Sequence, residues 1–232
     1  MGEEEQINMK FKTREITGLA MVSAISYAVM LMGFRFMASA QFLKYEAKDV
    51  ILTIGGFIYG PLGALAASFV VALAEMLTIS ETGPIGFLMN FVAAASFACT
   101  ASLIYSKLRT ARGAVIGLAI GSISLSVIML LWNYIITPLY MNVPRDIVTG
   151  MLLPVFLPFN LIKAGLNTAF VLLIYKPLMT ALRAARLLPA SVTPDAQRKE
   201  DTKVKLKFNP GLYICAAALL VICAVAIYFV RK

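Results

Sequence analysis

The sequence predicts an all-α integral membrane protein, with six transmembrane helices followed by one more at the C-terminus. Three observations carry this. Of 232 residues, 60% are hydrophobic and 14% charged, with a mean hydropathy of +0.83; soluble domains average about 45–50% apolar and about 25% charged. The apolar residues fall in runs long enough to cross a hydrocarbon core of about 30 Å. The basic residues gather mainly in short clusters beside those runs, which is a topology signal, so the net charge of +9 does not point to nucleic acid.

The N-terminal stretch MGEEEQINMKFKTRE is polar and opens acidic. It lacks the basic start and short apolar core of a cleavable signal peptide, so the first apolar run is expected to stay as a span. Span 1 covers about Ile16 to Met37. Its Ala20, Ala24 and Ala28 fall on one helix face, and small residues so spaced let another membrane helix approach, from within the bundle or from a partner. Ala38 to Asp49 contains Gln41, Phe42, Lys44, Tyr45, Glu46, Lys48 and Asp49; it is too polar for hydrocarbon and reads as an ordered outer loop.

Val50 to Leu77 is apolar but interrupted by Gly60-Pro61. One long helix here would put Lys107, Arg109 and Arg112 on the opposite side from Lys10, Lys12 and Arg14. Two helices joined by a tight turn put both clusters inside, as the positive-inside rule prefers, so spans 2 and 3 are divided at this point. After Ser80 to Pro84, span 4 runs to about Tyr105, and span 5 from Ala114 to Tyr140. Asn142 to Asp146 is an outer loop. Span 6 starts near Pro154 or slightly earlier and passes Lys176 to end at Arg183 and Arg186. The expected organisation is a six-helix membrane domain over 1–186, a basic cytoplasmic linker over 187–209, and an extra transmembrane helix over 210–232. The N-terminus is expected in the cytoplasm and the C-terminus outside.

Span 6 carries the polar residues around which a site would form. Asn160, Lys163 and Asn167 sit at i, i+3 and i+7 of PVFLPFNLIKAGLNTAFVLLIYK and share one face. A lysine at the centre of a membrane helix costs about 2.5–3.5 kcal/mol on insertion scales, so it is expected to face a polar cavity or a partner. Asn90 in span 4, Glu75 near the outer end of span 3 and Asn133 near the outer end of span 5 fall in the same outer half of the membrane. Phe42, Tyr45, Trp132, Tyr134, Phe156 and Phe159 are expected to wall that region. Aromatic walls with a few fixed polar groups suit a flat heterocycle with polar edges; the other reading is that the asparagines bridge helices and the aromatics form interfacial belts.

Enzyme signatures are missing. There is no histidine, no GxxxxGK[ST] phosphate loop and no GxSxG elbow. Cys99, Cys215 and Cys223 lie in apolar runs and suggest neither a zinc site nor a disulfide. Glu75 and Glu81 have no metal or nucleophile beside them. A binding subunit without catalytic residues, metal or cofactor fits better than an enzyme.

Four segments carry a resemblance: FLKYEAKDVILTIGGFIYGPLGAL, GPIGFLMNFVA, WNYIITPLYM and LPFNLIKAGLNTAFVLLIYKPL. In this order they resemble the riboflavin-binding S components of energy-coupling factor (ECF) vitamin transporters. The resemblance implies a six-helix S-component bundle with its vitamin site near the outer face. It implies a transmembrane coupling protein and two cytoplasmic ATPases as partners, with ATP hydrolysed by them and riboflavin as transported substrate. Ala20, Ala24 and Ala28 would contact the coupling protein, and transport would involve toppling of the subunit in the membrane. Asn160 and Lys163 match the polar pair that contacts the flavin ring, Asn90 falls in the matching GxxMN stretch and Asn133 in the NY stretch. Phe42, Tyr45 and Glu46 lie in the loop that helps close the site, with Glu75 and Asn167 as further candidates. After Arg186 the chain departs from the pattern. The same architecture for thiamin, folate or another flavin stays open, with Glu75 or Glu46 available to a cation, as does a secondary transporter or intramembrane enzyme.

Overall fold

A computed structural model describes residues 13–37, 40, 43–80, 82–184 and 210–231. Phe42, Glu81, the N-terminal acidic cluster and the basic linker over 187–209 lie outside the described residues. Apart from one isolated antiparallel bridge between Phe34 and Tyr45, the regular structure among the described residues is helical. The helices are α1 (Thr13–Met30), α2 (Lys48–Thr78), α3 (Gly83–Leu108), α4 (Ala111–Met141), α5 (Arg145–Met151), α6 (Leu157–Ala184) and α7 (Pro210–Arg231), with a π-helical stretch, Leu152–Phe156, joining α5 to α6.

The 31 residues of α2 form two helices, not one. Gly60 has φ 82° and ψ 175°, a conformation essentially reserved for glycine, and Pro61 follows with its φ already suited to a helix start. Lys48 and Glu75 lie at opposite ends of α2, which in a straight helix would separate them by about 40 Å at 1.5 Å per residue. Their side chains form an ion pair at 2.6 Å. The chain therefore reverses at Gly60, and residues 48–59 and 61–78 form a helical hairpin. With this division the six-helix unit consists of α1, the two arms of α2, α3, α4 and α6, and α7 is the seventh helix.

The other helices alternate in direction. Glu75 of α2 meets Asn90 of α3 at one end, and Pro61 meets Cys99 at the other. Gly117 and Gly121 of α4 pass so close to α3 that a Cβ on either would lie 2.6 Å and 2.9 Å from the carbonyl oxygens of Ala101 and Phe97. Small residues at this four-residue spacing let two membrane helices pack backbone against backbone. Ser122 of α4 bonds Thr168 of α6 at 3.1 Å. Lys107, Arg109 and Arg112 lie at the end opposite Glu75 and Asn90.

Three boundaries differ from the sequence reading. Helix α1 stops at Met30, not Met37, because the chain then turns to pair Phe34 with Tyr45, and a Cβ on Gly33 would meet the Tyr45 carbonyl oxygen at 2.8 Å. Helix α2 starts at Lys48, inside the stretch read as loop, because Lys48 and Asp49 are buried among charge partners. The last span of the six-helix unit is helical from Arg145. Pro154 and Pro158 lack N–H donors in consecutive turns, and the wider π turn absorbs the lost bonds. Ala20, Ala24 and Ala28 are exposed, on a face that also shows Ile16, Met21 and Ile25.

Gly60→Ala is expected to destabilise the protein by about 1–3 kcal/mol, read as a lower melting temperature in detergent. Nothing lies within 4 Å of a Cβ there, so an unchanged melting temperature would show that the turn tolerates an ordinary backbone.

Candidate functional site

One end of the bundle holds a cavity of about 390 Å³, within the size range of small-molecule sites. Four helices reach it, each through one face. From α3 come Gly86, Met89, Asn90 and Ala93, and from α4 Met129, Asn133, Ile136 and Thr137, both at helical spacing. Helix α6 adds Phe159, Asn160 and Lys163, and the end of α2 adds Glu75 and Ile79. The connection after α1 contributes Arg35, Leu43, Lys44 and Glu46.

The Phe34–Tyr45 bridge sets the geometry of that connection. Its two backbone bonds, Phe34 N–H to Tyr45 O at 3.0 Å and Tyr45 N–H to Phe34 O at 2.9 Å, hold the segment extended. Successive side chains of an extended segment point to opposite sides. Lys44 and Glu46 therefore face the cavity, while Tyr45 points away into the protein.

Behind the lining lies a network of buried charge. The Lys48 ammonium sits 2.6 Å from both Glu46 and Glu75, and Lys44 pairs with Glu46 at 3.4 Å. Asn90 donates to the other oxygen of Glu75 at 2.6 Å. Lys163 reaches Asp49 Oδ2 at 3.1 Å, and the same oxygen accepts from Asn167 at 3.3 Å. Tyr45 completes the chain by donating to Asn167 Oδ1 at 3.1 Å. Asp49 is fully buried, and its Oδ1 has no hydrogen-bond partner.

Outside the spans, two groups respond to this setting. Burial would raise the Glu46 carboxyl, but the Lys48 ammonium, with Lys163 and Lys44, outweighs it and holds the group below its ordinary value of 4.5. Burial, and then the Asp49 charge, push the Tyr45 phenol far above its usual range, which keeps it a donor. Asn160 donates to the Phe156 carbonyl at 2.8 Å and Asn133 to that of Met129 at 2.7 Å. Each of those bonds uses one of the two N–H groups of its amide; the Asn133 oxygen accepts from Thr137 at 2.8 Å.

The structure brings Asn90, Asn133, Asn160, Lys163, Glu46 and Glu75 to one cavity. Asn167 and Tyr45 stand behind its wall, bonded to each other. The expected aromatic walls are corrected: of the described aromatics, only Phe159 lines the cavity. Phe156 is wholly buried in the core, Tyr134 is exposed with Arg145 over its ring, and Trp132 is absent from the lining. Leu43, Ile79, Ile85, Met89, Met129 and Ile136 supply the apolar walls instead. Lys48 and Asp49, read only as polar loop residues, anchor the charges. The available signal was the run KYEAKD, whose alternating charges open a helix with an acid in its first turn. Among the described residues no group of His, Cys, Asp and Glu is arranged to hold a metal.

Residues 14–175 match the family model "ECF transporter, substrate-specific component". Riboflavin transporter FmnP of Bacillus subtilis is 29% identical over 193 residues, an alignment covering 76% of this chain and 99% of the relative. Riboflavin transporter RibU of Streptococcus thermophilus is 30% identical over 180 residues, covering 73% of this chain and 85% of the relative. A solved S component of a bacterial ECF transporter superposes with a TM-score of 0.62 at 29% identity, covering 73% of this chain and 97% of that one.

Lys163→Ala should destabilise the protein by about 3–5 kcal/mol, because it strands a buried carboxylate. The double variant Lys163→Met with Asp49→Leu should recover most of that stability. Thermal melting in detergent reads both, and a double variant no more stable than the single would show that the pair does not carry the cost.

Proposed function

The chain belongs to the substrate-specific components of ECF transporters, and from that membership we propose that it binds riboflavin with high affinity and delivers it across the membrane. It is a multi-pass membrane protein, and the relatives above are transporters, not enzymes. The observation that supports riboflavin best is the charge balance of the cavity. Both of its carboxylates, Glu46 and Glu75, and Asp49 behind its wall already face an ammonium. A cationic vitamin such as thiamin finds no spare carboxylate there. A neutral molecule with a flat ring system, a carbonyl and N–H edge and a hydroxylated tail does find partners: the amides of Asn90, Asn133 and Asn160, the hydroxyl of Thr137 and the donors of Lys163. Asn90, Asn160 and Lys163 are proposed to contact the ring edge, with Glu46 and Glu75 holding Lys48 behind them. Tyr45 and Asn167 act through Asp49, which fixes Lys163.

The cavity is proposed to open outward. Lys107, Arg109 and Arg112 lie at the opposite end, and the positive-inside rule assigns that end to the cytoplasm. The N-terminus then lies inside and the C-terminus outside. ATP hydrolysis is proposed to reside in two cytoplasmic ATPases, reached through a transmembrane coupling protein. The exposed face of Ala20, Ala24 and Ala28 is proposed as the docking surface for that coupling protein, since small side chains admit close helix packing.

Detergent-purified protein is expected to carry a yellow chromophore released as riboflavin on denaturation, or to quench the fluorescence of added riboflavin. A colourless protein that leaves riboflavin fluorescence unchanged would overturn the assignment.

Ala24→Trp is expected to leave riboflavin binding intact and abolish uptake by cells that hold the partner subunits. Loss of binding in the purified variant would instead mean that this face packs within the bundle.

A further inference from the structure

Helix α7 (Pro210–Arg231) lies beyond the family match. The family match ends at residue 175, and 73–76% of this chain already accounts for 97–99% of FmnP and of the solved S component. Yet α7 is not a detached anchor. It runs antiparallel to α6, in a register set by Gly165, where a Cβ would lie 2.7 Å from Cys223 Sγ. Leu212 and Ala216 are buried in the apolar cluster that contains Leu172, Tyr175 and Met179 of α6. Towards the cavity end, Cys223 is buried in a second cluster, with Leu220, Ile227 and Val230 packed against it.

That second cluster also contains Phe36, Met37, Leu43 and Tyr45 from the connection after α1, and Phe156, Phe159, Ile162 and Leu166 from the α6 side. Leu43 and Phe159 line the cavity on their other face. Phe36 stacks on Phe159 with ring centroids 5.3 Å apart and planes at 19°. The C-terminal half of α7 thus shares an apolar cluster with one cavity wall. Its outward side chains, Val221, Ile222, Val225 and Phe229, are exposed.

We propose that α7 is a buttress that fixes the cavity wall made by Leu43 and Phe159 and so sets how slowly riboflavin leaves. A packed wall must loosen before a bound molecule exits, and in packed interiors even one misplaced methylene is felt. A helix that supports the wall from behind slows that loosening without touching the ligand. The residues of α7 are positioning residues in this scheme.

The inference rests on the riboflavin reading, so the unsubstituted chain is loaded with radiolabelled riboflavin first. No binding there overturns that reading and this one with it; the steps that follow test the buttress alone. Cys223→Trp forces α7 off α6 and should speed release into an excess of unlabelled riboflavin at least tenfold, with the association rate unchanged. Ile222→Trp, on the exposed face, should change neither rate. Ile227→Ala with Val230→Ala removes packing without adding bulk and should also speed release. Gly165→Cys should form a disulfide to Cys223 on oxidation, and the crosslinked protein should release riboflavin no faster than the unsubstituted chain. A helix that merely stabilised the fold would lower the melting temperature of the packing variants and leave their release rates alone, which would overturn the proposal. Failure of residues 165 and 223 to crosslink would overturn it too.

Discussion

The ion pair between Lys48 and Glu75 is the constraint on which the rest of the site depends. It closes the α2 hairpin at the end opposite Gly60, and through Glu46 it draws the connection after α1 down onto that end. Through Glu75 it orients Asn90 of α3. Removing an ammonium and a carboxylate from water is expensive, and their attraction offsets the cost only when geometry and further hydrogen bonds are good. Here Lys48 has two carboxylates at 2.6 Å and the Met30 sulfur at 3.5 Å. The arrangement costs least when α1, both halves of α2 and α3 are all in place, which makes it a check on correct assembly.

A second pair, Lys163 with Asp49, does the same for α6. Because Asp49 also accepts from Asn167, and Asn167 from Tyr45, the position of one cavity-lining ammonium depends on the strand-like segment that begins at the Phe34 bridge. Much of the polar capacity of the cavity is thus already in use within the protein. A ligand with matched donors and acceptors exchanges these bonds for its own, whereas a molecule with uncompensated charge would strand a buried group.

Much of this was legible in the sequence, and the exceptions share a cause. The spans were visible because apolar length is a local property. Gly60-Pro61 marked where the apolar run could divide, charge placement decided that it does, and the structure bears it out. The asparagines and Lys163 reached one cavity because helical rise fixes their depth. The partner of Lys163 was not visible, since nothing local ties Asp49 to a residue five helical segments later. Lys48 and Asp49 looked like loop residues because only tertiary pairing makes their burial tolerable. The aromatic walls failed because depth does not fix facing: Phe156 ends the π-helical stretch and turns into the core, and Tyr134, one residue past Asn133 on α4, turns away from the cavity.

The first arm of the hairpin carries a geometric consequence. Residues 48–59 rise about 18 Å, against roughly 30 Å of hydrocarbon. About two turns of helix are therefore missing where the other helices continue. The fold makes its vestibule by leaving out material, not by spreading the bundle. Behind the floor of that well lies the charged end of a short helix, Lys48 and Asp49. A molecule held in such a well would lie among the helix ends of the bundle and not on its outer surface.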